Sequence, residues 1–135
     1  MHYKAITFDL FGTLVKVVSF REMEETLMQV AEVLSISSSN FIRLWYKDTD
    51  RRVIGLFPTI EDNISSICNE LVVYPDNDQT TLATKLIFEY GKQLLTPRID
   101  TILMLSRCRV NGLKIGLISD CFPDTPMVWN ETPFS

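Results

Sequence analysis

Two short apolar runs, one near each end of the chain, halt abruptly at polar residues, and this pattern limits the possible folds more than any other feature. Residues 3–9, YKAITFD, stop at a carboxylate and pass into LFGTL; residues 113–119, LKIGLIS, stop at Ser-Asp. Short apolar runs bounded by turn signals are the pattern of strands buried on both faces. Strands separated by long helical sequence cannot pair through a tight hairpin, so they predict a parallel pair joined by a crossover.

Helical periodicity fills the interval. Ser19 stands three residues before Glu22, the spacing of a capping box, and Phe20, Met23, Leu27, Ala31 and Leu34 then recur at helical intervals, predicting a helix over 20–34. Ser37, Ser38 and Ser39 break it and open a second helix carrying Phe41, Leu44 and Trp45, which Gly55 and Pro58 end. Thr59 caps a third, with Ile60, Ile64, Ile67 and Leu71 on one face. Pro75 and the polar stretch DNDQTT precede a fourth at about 79–95, built on Leu82, Leu86 and Tyr90. Beyond Pro97, Ile99, Ile102, Leu103 and Ser106 predict one more helix, stopped by Asn111–Gly112. The last 15 residues, CFPDTPMVWNETPFS, hold three prolines without periodicity and read as loop.

Composition narrows the function. No run approaches the roughly 18 apolar residues of a membrane span, and MHYKAITFDLF lacks the pattern of a secretory signal, so a cytoplasmic, non-membrane protein is expected. The net charge is −4 and the basic residues are dispersed, which argues against nucleic acid as a partner. Cys68, Cys108 and Cys121 share no CxxC spacing, against a disulfide framework or a zinc knuckle. The sole histidine is His2, so Ser-His-Asp, Cys-His and multi-histidine metal sites are excluded. Catalysis in this chain has to run on carboxylates.

The stretch FDLFGTLV at the end of the first strand resembles the first motif of the haloacid dehalogenase superfamily: an apolar strand, Asp, two further residues, then Gly-Thr-Leu. KIGLISD resembles its second motif, an apolar strand ending in Ser or Thr. The helical insert of roughly 80 residues between them resembles the cap domain of one large branch of that superfamily. With the helix before the second motif, the resemblance covers essentially the whole chain. It implies an α/β fold: part of a Rossmann-like parallel sheet formed by residues 1–15 and 97–135, with a four-helix cap at 16–96. It also implies a hydrolase in which Asp9 is the nucleophile and Ser119 holds the group being transferred. Phe11, Gly12, Thr13 and Asp120 then lie against a small-molecule substrate. A carboxylate leaves readily from an ester or acyl-phosphate, and so divides one hard displacement into two easier ones. Without the flanking motif, a strand-end Asp is most simply a turn residue.

Two departures qualify the resemblance. Phosphatases of the superfamily carry a second Asp two residues after the nucleophile as general acid; here that position is Phe11. A phenyl ring gives no proton, and loss of acid catalysis costs about 10²–10⁴-fold. The L-2-haloacid dehalogenases also carry an aromatic there, and halide needs no acid to leave. The superfamily further uses a Lys or Arg and additional acidic residues after its second motif. The 16 residues after Ser119 contain no Lys or Arg, so the chain is expected to be truncated after that motif and nearly inactive. Mg2+ is the expected cofactor of a phosphatase-like activity, with Asp9 as a ligand of an incomplete site, and none is expected for a dehalogenase-like one.

Secondary candidates carry plainer alternatives. Asp120 is a pocket residue or a turn residue. Asp124 lies in a Pro-flanked loop and is expected to be solvated. Arg43, Arg51 and Arg52 are candidates for a substrate carboxylate, since dehalogenase relatives place an Arg on the cap, against the alternative of an ordinary exposed face. Trp45 and Tyr46 are expected in the cap core, and Cys121 has no evident activating neighbour. The rival class is a non-catalytic relative that acts as a binding protein. A phosphorylatable receiver domain expects an acidic pair on an earlier strand and no cap, and fits poorly. A lone pair of parallel strands also leaves apolar surface and edges open, which predicts poor solubility.

Overall fold

A computed structural model describes residues 3–135; the expectation about His2 lies outside the described residues. The chain is mixed α/β with a two-stranded parallel sheet. Strand β1 (Ala5–Phe8) pairs with β2 (Lys114–Leu117), Ala5 opposite Lys114 and Phe8 opposite Leu117. Between them run α1 (Phe20–Val33), α2 (Ser38–Lys47), α3 (Thr49–Val53), α4 (Ile60–Glu70), α5 (Asn77–Leu94) and α6 (Thr101–Val110). After β2 come α7 (Asp124–Val128) and a 3-10 turn, Trp129–Glu131. No helix among the described residues is long and apolar enough to cross a membrane.

Helix starts follow the side chains that satisfy their free N–H groups. The Ser19 hydroxyl accepts from Glu22 N at the head of α1. Thr59 with Asp62, and Asp76 with Gln79, form reciprocal capping boxes at α4 and α5. The Asp76 cap starts α5 at Asn77, two residues before the periodicity suggested.

Two apolar cores result. Leu27, Val30, Leu34, Phe41, Leu44, Ile64 and Ile67 are buried together where α1, α2, α4 and α5 meet. A smaller cluster of Leu10, Leu14, Val15, Leu95 and Val128 lies beside the sheet, and Phe88 of α5 packs against both.

The structure corrects three expectations about the helices and the tail. The second helix is interrupted at Asp48, so the insert holds five helices rather than four. The Asp48 carboxylate is engaged sideways by Arg51 and Asn63, which anchors a break at this point. The tail is not loop: Val128 enters the smaller core, and Lys92 of α5 pairs with Glu131 at 2.6 Å. Packing against other segments orders this stretch, and a periodicity reading cannot see that. Finally, Ile99, Ile102 and Leu103 face outward; α6 instead turns Met104 and Leu105 toward the smaller core, so its apolar residues are divided between both sides.

Candidate active site and neighbouring cavity

Parallel register brings the ends of both strands to one edge. Ile118 N donates to Phe8 O at 2.9 Å, so Asp9 and Ser119, the residues that follow these two, leave the sheet at the same end. The turn after Asp9 is tightly built. Thr13 N, Leu14 N and Val15 N all donate to Leu10 O, and Gly12 N donates to Val15 O. Gly12 has φ +78°, a left-handed conformation that other residues adopt at a cost, and a Cβ there would meet Val17 Cγ2 at 3.3 Å. Leu10, Leu14 and Val15 anchor the turn from below. Leu14 O also accepts from Thr101 Oγ1 at 2.8 Å, tying the turn to the head of α6.

Asp9 is exposed, and Thr13 Oγ1 donates to its Oδ2 at 3.2 Å. Ser119 Oγ is buried and has no hydrogen-bond partner among the described residues. A buried hydroxyl without a partner costs free energy, so Ser119 Oγ at this end of the sheet is an open acceptor or donor position. Asp120 is exposed. Arg43 is exposed on α2, makes no ion pair among the described residues and does not line the cavity described next. Cys121 is half-buried and free.

A cavity of about 360 Å³ lies between the insert and the sheet end. Phe11 forms part of its wall, together with Trp45, Tyr46, Arg52, Phe57 and Asp124; Asp9 and Ser119 do not line it. Trp45 and Tyr46 therefore serve the cavity wall, and Trp45 belongs to the insert's core as well. Tyr90 also lines it, and its hydroxyl donates to Ser19 O at 3.4 Å. Burial pushes its phenol above the usual tyrosine range, aided by Glu22 and Tyr46.

Two charges face this apolar space. Arg52 is buried, its guanidinium 4.1 Å above the Trp45 ring. Burial brings its pKa down to about 10, against the pull of Asp48 and Asp124; at neutral pH it is a cation. Asp124, expected in a solvated loop, is instead half-buried at the head of α7. Burial raises its carboxyl above the usual range, opposed by its own backbone N–H and by Arg52. Arg51, by contrast, is exposed and pairs with Asp48 at 3.0 Å.

No family model matches the chain, and no curated protein matches it.

Sequence reasoning missed two contributors. Arg98 Nη1 donates to Gly12 O at 3.2 Å and so steadies the turn carrying Asp9; only its position after Pro97 hinted at this. Asp124 was hidden by the prolines on either side, although Phe122, Met127 and Val128 supply the apolar spacing of a docked turn. As to a metal, no group of three or more His, Cys, Asp or Glu side chains among the described residues is arranged to hold one. Asp9 and the Phe11 carbonyl are too few donors for magnesium's near-octahedral oxygen set. The residues present do not fit a Mg2+ site.

Proposed function

We propose that the chain is a hydrolase of the haloacid dehalogenase type, with Asp9 as nucleophile toward a small-molecule substrate. The single observation that carries this reading is the juxtaposition at the strand ends. A carboxylate held by Thr13 directly follows β1, and a buried, unpartnered hydroxyl follows β2 at the same end of the parallel pair. Such strand ends are where α/β sheets bind ligands.

In this reading an Asp9 oxygen attacks the substrate carbon bearing a halogen. The new C–O bond forms as the carbon–halogen bond breaks, and halide leaves with the electron pair. Water then attacks the carboxyl carbon of the resulting ester, releasing a hydroxy acid and restoring Asp9. Ser119 Oγ supplies a hydrogen bond to the substrate, and Thr13 orients the nucleophile. The same attack on a phosphate ester expels an alkoxide, which needs a proton that Phe11 cannot give. The dehalogenase-like route therefore suits these side chains better. Turnover is expected to be slow, because no cation pairs with Asp9 among the described residues.

The test is incubation of the chain with chromogenic phosphate esters and with 2-haloacids, beside Asp9→Asn. Turnover that disappears in the variant supports the reading. Equal turnover in both chains, or none of either substrate class, refutes it. A second reading, a non-catalytic binding protein, is favoured by one observation: the cavity includes Phe11 but neither Asp9 nor Ser119.

A further inference from the structure

The cavity carries one cation and one anion, and neither has a counter-charge in contact among the described residues. Arg52 is nine-tenths buried. A guanidinium has five N–H donors. Here Nη1 gives to Trp45 O at 2.7 Å and to Asn63 Oδ1 at 2.9 Å, and Nη2 gives to Thr49 Oγ1 at 3.1 Å. The Nε–H and the second Nη2–H meet no acceptor among the described residues. Asp48, the carboxylate one turn back, is already engaged by Arg51 through one oxygen and by Asn63 through the other.

Asp124 is also without a side-chain partner among the described residues. Its Oδ2 lies against α5, 3.2 Å from where a Cβ on Gly91 would stand, so the missing side chain at Gly91 makes room for the carboxylate. Arg52 and Asp124 line the same cavity and feel each other's field, yet they form no ion pair. The wall around them is apolar, formed by Phe20, Met23, Phe57, Ile87 and Leu94 among others.

Arg52 is nine-tenths buried and Asp124 half-buried, so their remaining donors and acceptors, partly withdrawn from water, favour a ligand that matches them. A simple anion would meet Arg52 but be repelled by Asp124; a simple cation would suffer the reverse. A zwitterion on an apolar body satisfies both poles and the wall. The volume, about 360 Å³, falls at the small end of ordinary ligand clefts.

We propose that this cavity binds a free α-amino acid with a large apolar side chain, its carboxylate on the open donors of Arg52 and its ammonium on Asp124. The apolar side chain lies against Phe57 and Trp45. This inference goes beyond the hydrolase reading and stands whether or not Asp9 acts as a nucleophile.

Calorimetric titration of the full chain tests it with three probes: L-phenylalanine, 3-phenylpropanoate (no ammonium) and 2-phenylethylamine (no carboxylate). Each buried charge contact is expected to contribute at least about tenfold in affinity. L-phenylalanine should therefore bind at least about tenfold more tightly than either single-pole probe. Asp124→Asn should erase its advantage over 3-phenylpropanoate while leaving the latter's affinity unchanged or improved. Comparable binding of all three probes, no saturable binding of L-phenylalanine, or an advantage that survives Asp124→Asn would overturn the proposal. The three-probe comparison on the parent chain decides the matter even if the variant does not fold.

Discussion

Asn63 is fully buried, and its amide is the joint that ties α4 to the break between α2 and α3. Its Nδ2 donates to Asp48 Oδ2 at 2.8 Å while its Oδ1 accepts from Arg52 at 2.9 Å. Asn63→Asp changes the amide NH2 to oxygen and almost nothing in shape. The ionised side chain would keep the bond to Arg52 but set two carboxylate oxygens where a donor and an acceptor now meet. The new carboxyl escapes by holding a proton, which restores a donor toward Asp48. Its pKa in the folded chain is then above its unfolded value of about 3.9. Keeping that proton at pH 7 costs about 1.4 kcal/mol for each of the roughly three pH units involved, a ceiling of about 4 kcal/mol. A raised carboxyl pKa means that the folded state binds more protons, so stability is lost as pH rises from about 4 through the folded pKa. We expect a penalty of about 2–4 kcal/mol at pH 7 that shrinks below about 1 kcal/mol near pH 4.5. Urea unfolding of both chains at several pH values, followed by tryptophan fluorescence, measures it. A penalty that does not change with pH, or no penalty at pH 7, would refute the hydrogen-bond directions assigned to Asn63.

Val72 has φ +56° just past α4, a conformation costly for a β-branched residue, and its side chain is largely exposed. Val72→Gly should therefore raise stability by about 1 kcal/mol, read as a higher urea midpoint; a lower midpoint would contradict it. Asp76→Ala removes the side chain that closes the box at α5, and should cost about 1–2 kcal/mol in the same assay. Val128→Ala opens space in the smaller core and should cost about 2 kcal/mol. It should also quicken proteolytic cleavage in the tail, whereas unchanged cleavage would mean that the tail is not held by this side chain.

The parts legible from sequence are those determined by neighbours in the chain. Ser19, Thr59 and Asp76 mark helix starts because a cap is a contact across three residues. The strands were legible because unbroken apolar runs ending in polar residues have few other uses. They were read too long and too buried: pairing covers only Ala5–Phe8 and Lys114–Leu117, and each of these residues is exposed or half-buried because no further strand joins the pair among the described residues. What escaped depends on contacts across long separations. The break at Asp48 is braced by Asn63, 15 residues on. Asp124 is drawn inward because Val128 docks on Leu10, Leu14 and Leu95. At the strand ends, the sequence motif pointed to Asp9, Thr13 and Ser119 together, and parallel register places Asp9 and Ser119 on one edge. It could not show that the cavity excludes Asp9 and Ser119 while including Phe11.

That separation gives Phe11 a specific part in the proposed chemistry. Its backbone bridges to Val15, Val15 bridges to Pro97, and three N–H groups converge on Leu10 O, so the turn moves as one piece if it moves at all. The Phe11 side chain forms part of the cavity wall, and the turn that carries it also carries Asp9 and Thr13, which do not line the cavity. In the proposed chemistry, a ligand held by Arg52 and Asp124 would touch Phe11 from within the cavity and so brace the turn that holds the nucleophile. Phe11→Ala would remove that contact, and with it any effect of the bound ligand on turnover.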